Sequence, residues 1–152
     1  MTARPNDPYG LSRFIEAQEG HYASALEELQ AGAKQSHWMW FIFPQVAGLG
    51  SSSMARRYAI RSRREAEAYL AHPLLGPRLT ACAQALFGVQ GRAAEQIMGF
   101  PDVLKLQSSM TLFLEVSAPG SLFERVLEKY YRGEKDKMTI LYLSRNETTS
   151  AS

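Results

Sequence analysis

The stretch Pro101-Asp-Val-Leu-Lys-Leu-Gln-Ser-Ser-Met-Thr-Leu-Phe-Leu-Glu-Val-Ser117 decides the fold class. Val103, Leu106, Met110, Phe113 and Leu114 follow one another at steps of three and four, the spacing that lays one face of an α-helix on a core. Pro101 suits the first turn, because the N–H it lacks has no intrahelical partner there. The spacing predicts the longest and most buried helix of the chain.

The same period recurs on both sides. Leu11, Phe14 and Ile15, then Tyr22, Leu26 and Leu29, predict two helices, or one broken at Gly20. Ser62-Arg-Arg-Glu65 and Ser121-Leu-Phe-Glu124 have the spacing in which a serine hydroxyl caps an amide while the glutamate reaches back, so helices should start near 63 and 122. Pro73 and Pro77 precede a core helix expected over 77–88, with Leu79, Ala83, Leu86 and Phe87 inward. Met138-Thr-Ile-Leu-Tyr-Leu143 reads as a short strand or as a helical turn. The expectation is mainly α: one compact helical bundle over residues 7–145, of about six to eight helices and at most a very small sheet. Residues 1–6 and 146–152 are expected to be flexible termini.

Composition narrows the class. Of the 152 residues 45% are hydrophobic and 21% charged, close to the globular average, which argues against disorder. The longest apolar run, Trp38 to Phe43, ends at Pro44, far short of the ~20 residues that cross a bilayer. No apolar region follows the first residues, so no secretory signal is expected and the cytoplasm is the expected compartment, with no membrane partner. The single cysteine, Cys82, excludes an internal disulfide and should be a buried helical thiol. A net charge of +2 makes broad duplex-DNA binding a poor fit, although Arg56, Arg57, Arg61, Arg63 and Arg64 form a local basic excess. That run is either a solvated helix face or a contact for phosphate.

Three segments carry candidate chemistry. Lys34-Gln-Ser-His-Trp-Met-Trp-Phe-Ile-Phe-Pro-Gln45 holds both tryptophans. Trp38 and Trp40 either line a pocket for a flat ring or fill core under a loop, and they should differ in role, because residues two apart do not share a helix face. Lys34, His37 and Gln45 favour the pocket, being costly inside an apolar plug. Gly48-Leu-Gly50-Ser-Ser-Ser53 is a glycine-rich turn ahead of a helix near Met54; Ser51 and Arg56 could hold phosphate there, or the turn is a plain connector. In Gly99 to Thr111, Asp102, Lys105 and Ser109 share one helix edge beside the apolar stripe. Asp102 is then either a helix-start acid paired with Lys105, or a carboxylate at the rim of a cleft. His21 and His72 lack companions at metal-ligand spacing, so no metal site and no cofactor are expected.

Arg13-Phe-x-x-Ala-Gln18, Ser36-His-Trp-Met-Trp-Phe-Ile-Phe-Pro-Gln45, Gly48-Leu-Gly50, Tyr69-Leu-x-His-Pro-x-Leu-Gly76 and Lys105-Leu-x-Ser-Ser-Met-Thr-Leu-Phe113 together resemble a family of small bacterial proteins classed as a domain of unknown function, sometimes mislabelled calpastatin. The resemblance covers about residues 7 to 143. A more remote likeness runs to the NAD- and ADP-ribose-associated (NADAR) superfamily, through the order of an aromatic N-terminal region, an Ala/Leu-rich middle and the helix with Asp102, Lys105 and Met110. Where that superfamily carries an acidic residue in the first aromatic segment, this chain offers His37.

The NADAR likeness implies a pocket for a nucleotide or ADP-ribose, or for an ADP-ribosylated base, with modified nucleic acid as a substrate and hydrolysis of an N-glycosidic bond as the reaction. Carried onto this chain, Trp38 or Trp40 would stack the base, and the turn from Gly48 through Ser51, with Arg56, would hold diphosphate. Asp102, positioned by Lys105, would serve the sugar carbon, and Lys34 or His37 the leaving group. The other reading is a non-catalytic adaptor domain whose arginine run meets an acidic protein or nucleic acid. Oligomeric state is not legible in either.

Overall fold

In the computed structural model, residues 7–151 are described, with side chains through Asn146. Ten helices appear among them and no sheet. The chain runs α1 (Ser12–Gln18), α2 (Tyr22–Ala31), α3 (Met39–Ile42), α4 (Ser53–Arg57), α5 (Arg63–Ala71), α6 (Leu75–Phe87), α7 (Ala94–Met98), α8 (Asp102–Glu115), α9 (Leu122–Tyr131) and α10 (Lys137–Ala151). The count exceeds the six to eight expected because α3 and α7 have only four and five residues, too short to show a period, while α4 is the helix expected near Met54. Of the flexible termini expected, 1–6 lies outside the described residues, whereas 146–151 falls within α10, of which only the helical course is described beyond Asn146.

Helix α8 is the centre. Ser108 to Phe113 are buried without a break, which a helix shows only when neighbours surround it, and α5, α7, α9 and α10 all pack against it. At 14 residues it is one shorter than α10, a small correction to the expected order of lengths. Beneath it a chain of aromatic contacts crosses the core: Phe123 to Phe113 at 5.8 Å, Phe113 to Tyr69 at 5.4 Å, Tyr69 edge-on to Phe14 at 5.1 Å, and Phe14 to Tyr58 at 5.8 Å.

The helix starts obey local rules. Ser62 Oγ accepts from the Glu65 amide at 3.0 Å, and Ser121 Oγ from the Glu124 amide at 3.3 Å. The glutamates reach one residue further back than the usual box, to the amides of Arg61 and Gly120. His72 Nδ1 accepts from the amides of Leu74 and Leu75 and so closes the corner between α5 and α6. A Cβ on Gly76 would stand 2.1 Å from the Leu70 carbonyl oxygen, so only glycine lets these helices meet there. The Tyr69-to-Gly76 motif is thus a corner of the fold. Cys82 is fully buried, and burial pushes its thiol up to about 12.

Two further motif residues have structural work. The Arg13 guanidinium meets the Glu65 carboxylate at 2.7 Å and donates to the carbonyls of Tyr9, Gly10, Arg57 and Ala59, clamping α1 to the start of α5. Buried Gln18 donates to the Phe41 carbonyl and the Tyr69 hydroxyl and accepts from Arg78.

Candidate functional site

The segment between α2 and α3 is held by one carboxylate. Glu28 accepts from the Gln35 and Ser36 amides, from Ser36 Oγ and, at 2.9 Å, from the Trp38 indole N–H. Burial works against the charged form, but the hydrogen bonds outweigh it and hold the carboxyl near 2. Trp38 is fully buried and packs against Phe43. It is therefore the core member of the tryptophan pair, and a ligand does not reach its face.

The neighbouring charges form a second fixed group. Lys34 Nζ lies 2.8 Å from Asp102 Oδ2, donates to the Ser36 carbonyl at 2.7 Å and sits 4.8 Å above the Trp38 ring. Its side chain is only 8% exposed, so this ammonium is neutralised mainly by Asp102. Lys105 stands further off, at 3.8 Å from Asp102 Oδ1 and 5.5 Å from the half-buried Trp40 ring. The carboxylate thus lies between two lysines, one tightly bound and one loosely. The i, i+3 pair expected within α8 is present, but the stronger partner arrives from a distant segment.

Beside this group opens a cleft of about 470 Å³. One wall is the turn after α3, fixed where the Ile60 amide donates to the Gln45 carbonyl at 2.8 Å and the Ala47 amide to the Ile60 carbonyl at 3.0 Å. The turn enters α4 through Ser52, whose Oγ accepts from the Ala55 amide. A Cβ on Gly50 would lie 2.8 Å from the Ala55 methyl, so the turn closes onto α4 only with glycine there. Gln45, Gly50, Ser51 and Ser52 line this side.

The opposite wall comes from α8, through Leu104, Lys105 and Ser108, and from the start of α10, through Asp136 and Met138. Asp136 caps α10: its Oδ2 accepts from the Thr139 amide at 3.1 Å, from Thr139 Oγ1 at 2.5 Å and from Ser108 Oγ at 3.1 Å. Its own amide donates to Thr111 Oγ1 at 2.9 Å, which seats the helix start on α8.

Of the residues singled out in the sequence, Gln45, Gly50, Ser51 and Lys105 converge on the cleft. Asp102 and Lys34 form the ion pair next to it. His37, Gly48 and Arg56 are exposed and lie outside the cleft lining. Ser109, placed with Lys105 by helical angle, is fully buried with its hydroxyl unpartnered, and Ser108 takes the cleft position instead. Asp136, Leu104 and Met138 were not legible as site residues. The spacing Asp136 to Thr139 signals a helix start, yet only the packing of α10 across α8 turns that start toward the turn at Gly50.

The family described as "Protein of unknown function (DUF1810)" matches residues 8–143. The chain belongs to this family. A similar solved structure is the crystal structure of the conserved hypothetical protein Rv1873 from Mycobacterium tuberculosis, with 53% identity and a TM-score of 0.89 over 91% of this chain and 99% of that one. No curated protein matches the chain. Neither description names a ligand or a reaction, so the DUF1810 cleft has to be interpreted from its own residues.

Proposed function

We propose that the cleft binds a nucleotide-like ligand of the ADP-ribose type, and that cleavage of an N-glycosidic bond is the chemistry it supports. The observation that carries the reading is the convergence of Gln45, Gly50 and Ser51, from the turn after α3, with Lys105, from α8, on one cleft of about 470 Å³. That is within the usual size of small-molecule sites, and the wall mixes apolar side chains with a few polar groups, as such sites do. Serine hydroxyls and the Lys105 ammonium suit phosphate oxygens. The remote NADAR likeness supports the same ligand class.

The lysine pair gives Asp102 a defined place in such a reaction. A phosphate would draw the loosely held Lys105 ammonium away, leaving Asp102 fixed by Lys34 alone and more negative toward the sugar. In the cleavage the C–N bond breaks with its electron pair moving onto the base nitrogen. Water adds its hydroxide to the sugar carbon, and its proton ends on the base. A carboxylate beside the positively charged transition state stabilises it more than it stabilises the bound ground state. Base stacking on Trp38 is not part of this proposal, since that ring is closed off.

The test is calorimetry and thermal shift with NAD and ADP-ribose, with release from these and from an ADP-ribosylated guanine oligonucleotide followed by mass spectrometry. A ligand at 100 times its Kd should stabilise the fold by about 2.7 kcal/mol, and Lys105→Ala should weaken binding. If wild type binds none of them and releases nothing, the nucleotide reading falls. The exposed Arg56, Arg57, Arg61 and Arg64 then become the surface to probe with acidic partners.

A further inference from the structure

We infer that Asp136 is the sugar-recognition residue of the cleft, accepting hydrogen bonds from ligand hydroxyls through Oδ1, and that the ligand lies with its phosphate toward Ser51 and Lys105. The inference rests on the nucleotide reading of the cleft and adds to it a specificity residue and an orientation.

Three observations lead there. The hydrogen bonds that Asp136 accepts among the described residues all end on Oδ2, so the capping of α10 occupies one carboxylate oxygen and leaves the other as an acceptor. One carboxylate oxygen has two lone pairs and can take both hydroxyls of a vicinal diol. The ammonium of the adjacent Lys135 already has a carboxylate partner, Glu115, at 2.9 Å. The cleft therefore carries both a carboxylate with a free oxygen, at Asp136, and an ammonium, at Lys105. A phosphate is repelled by the first and attracted by the second. An uncharged donor such as a ribose hydroxyl has the opposite preference.

The apolar lining agrees with this polarity. Leu104 and Met138 are 52% and 56% exposed, large side chains left in water at the wall that carries Asp136. They offer a flexible, polarisable surface for the face of a sugar or base, the role the sequence had suggested for the tryptophans.

The experiment compares AMP with 2′,3′-dideoxy-AMP on wild type and on Asp136→Asn, by calorimetry. Asparagine caps a helix about as well as aspartate, while its amide replaces the free acceptor with a donor. Wild type should bind AMP about 10- to 100-fold more tightly than the dideoxy compound, the range for a hydrogen bond to a charged group. In Asp136→Asn that preference should vanish. A residue acting only as a cap would not move the ratio. Equal binding of the two nucleotides by wild type overturns the inference without using any variant, and a preference retained in Asp136→Asn overturns it as well. Binding of neither nucleotide also overturns it, and a parallel titration with ADP-ribose then decides separately whether the nucleotide reading stands.

Discussion

The segment around Glu28, Lys34 and Trp38 and the cleft beside α8 contain the same kinds of residue and use them in opposite ways. In the first, carboxylate, ammonium, indole and hydroxyl face one another, and each has a partner from the chain itself. In the second, Lys105 reaches its carboxylate only at 3.8 Å, and Leu104 and Met138 stand in water. Polar residues in an aromatic-rich stretch therefore do not mark a binding site by type. What separates them is whether the fold has already used their hydrogen-bonding capacity.

The strongest challenge to this contrast is to truncate both tryptophans. Trp38→Ala should cost about 3–5 kcal/mol in denaturant unfolding, as for a fully buried large side chain, while Trp40→Ala, half-buried, should cost clearly less. Equal losses would place Trp40 in the closed region as well. Next comes Asp102→Asn. A helix-start acid exchanges for asparagine with little effect, which is all that local sequence would suggest. Because Lys34 is buried against this carboxylate, its removal leaves an ammonium without its counter-charge, and a loss of about 3 kcal/mol is expected. A change below about 1 kcal/mol would show that Lys34 finds water or another partner.

Glu28→Gln sharpens the comparison through pH. The Glu28 carboxyl is lowered from an ordinary value of 4.5 to about 2, so its contribution is present above pH 4.5 and is lost as pH falls toward 2. The variant should lose about 1.5–3 kcal/mol at neutral pH, the range for hydrogen bonds to a charged group, and its stability should fall less between pH 4.5 and 2 than that of wild type. Parallel acid-unfolding curves would remove Glu28 as the clamp. The smallest expected effect is in the cleft. Leu104→Ser with Met138→Ser should change stability by no more than about 0.5 kcal/mol, because neither side chain is buried. A larger loss would mean that these residues belong to the folded core.

Much of the helical framework could be read locally. The steps from Val103 to Phe113, the serine caps at 62 and 121 and the break at Gly20 each depend on residues within a turn or two, and each appears in the structure. The one-turn helices α3 and α7 escaped because four or five residues carry no period, whereas α4 was expected near Met54 from the turn ahead of it. Site residues divided in the same way. Gln45, Gly50, Ser51 and Lys105 could be singled out by residue type, whereas Asp136 drew no attention and Ser109 looked like a cleft residue. Helical angle alone did not place Ser109, because α8 is surrounded and so has several buried faces.

Local periodicity and capping chemistry determined that this chain is mainly helical and where its principal helices begin, since those preferences act over three or four residues. Which charged groups are closed and which are open was decided only when segments far apart in the chain met. Lys34 reaches Asp102 across nearly 70 positions, roughly the scale over which chain folding rather than local bias sets contacts. Asp136 comes to face Gly50 because α10 lies across α8. A side chain's character is local, but its remaining capacity for a ligand depends on every group packed around it.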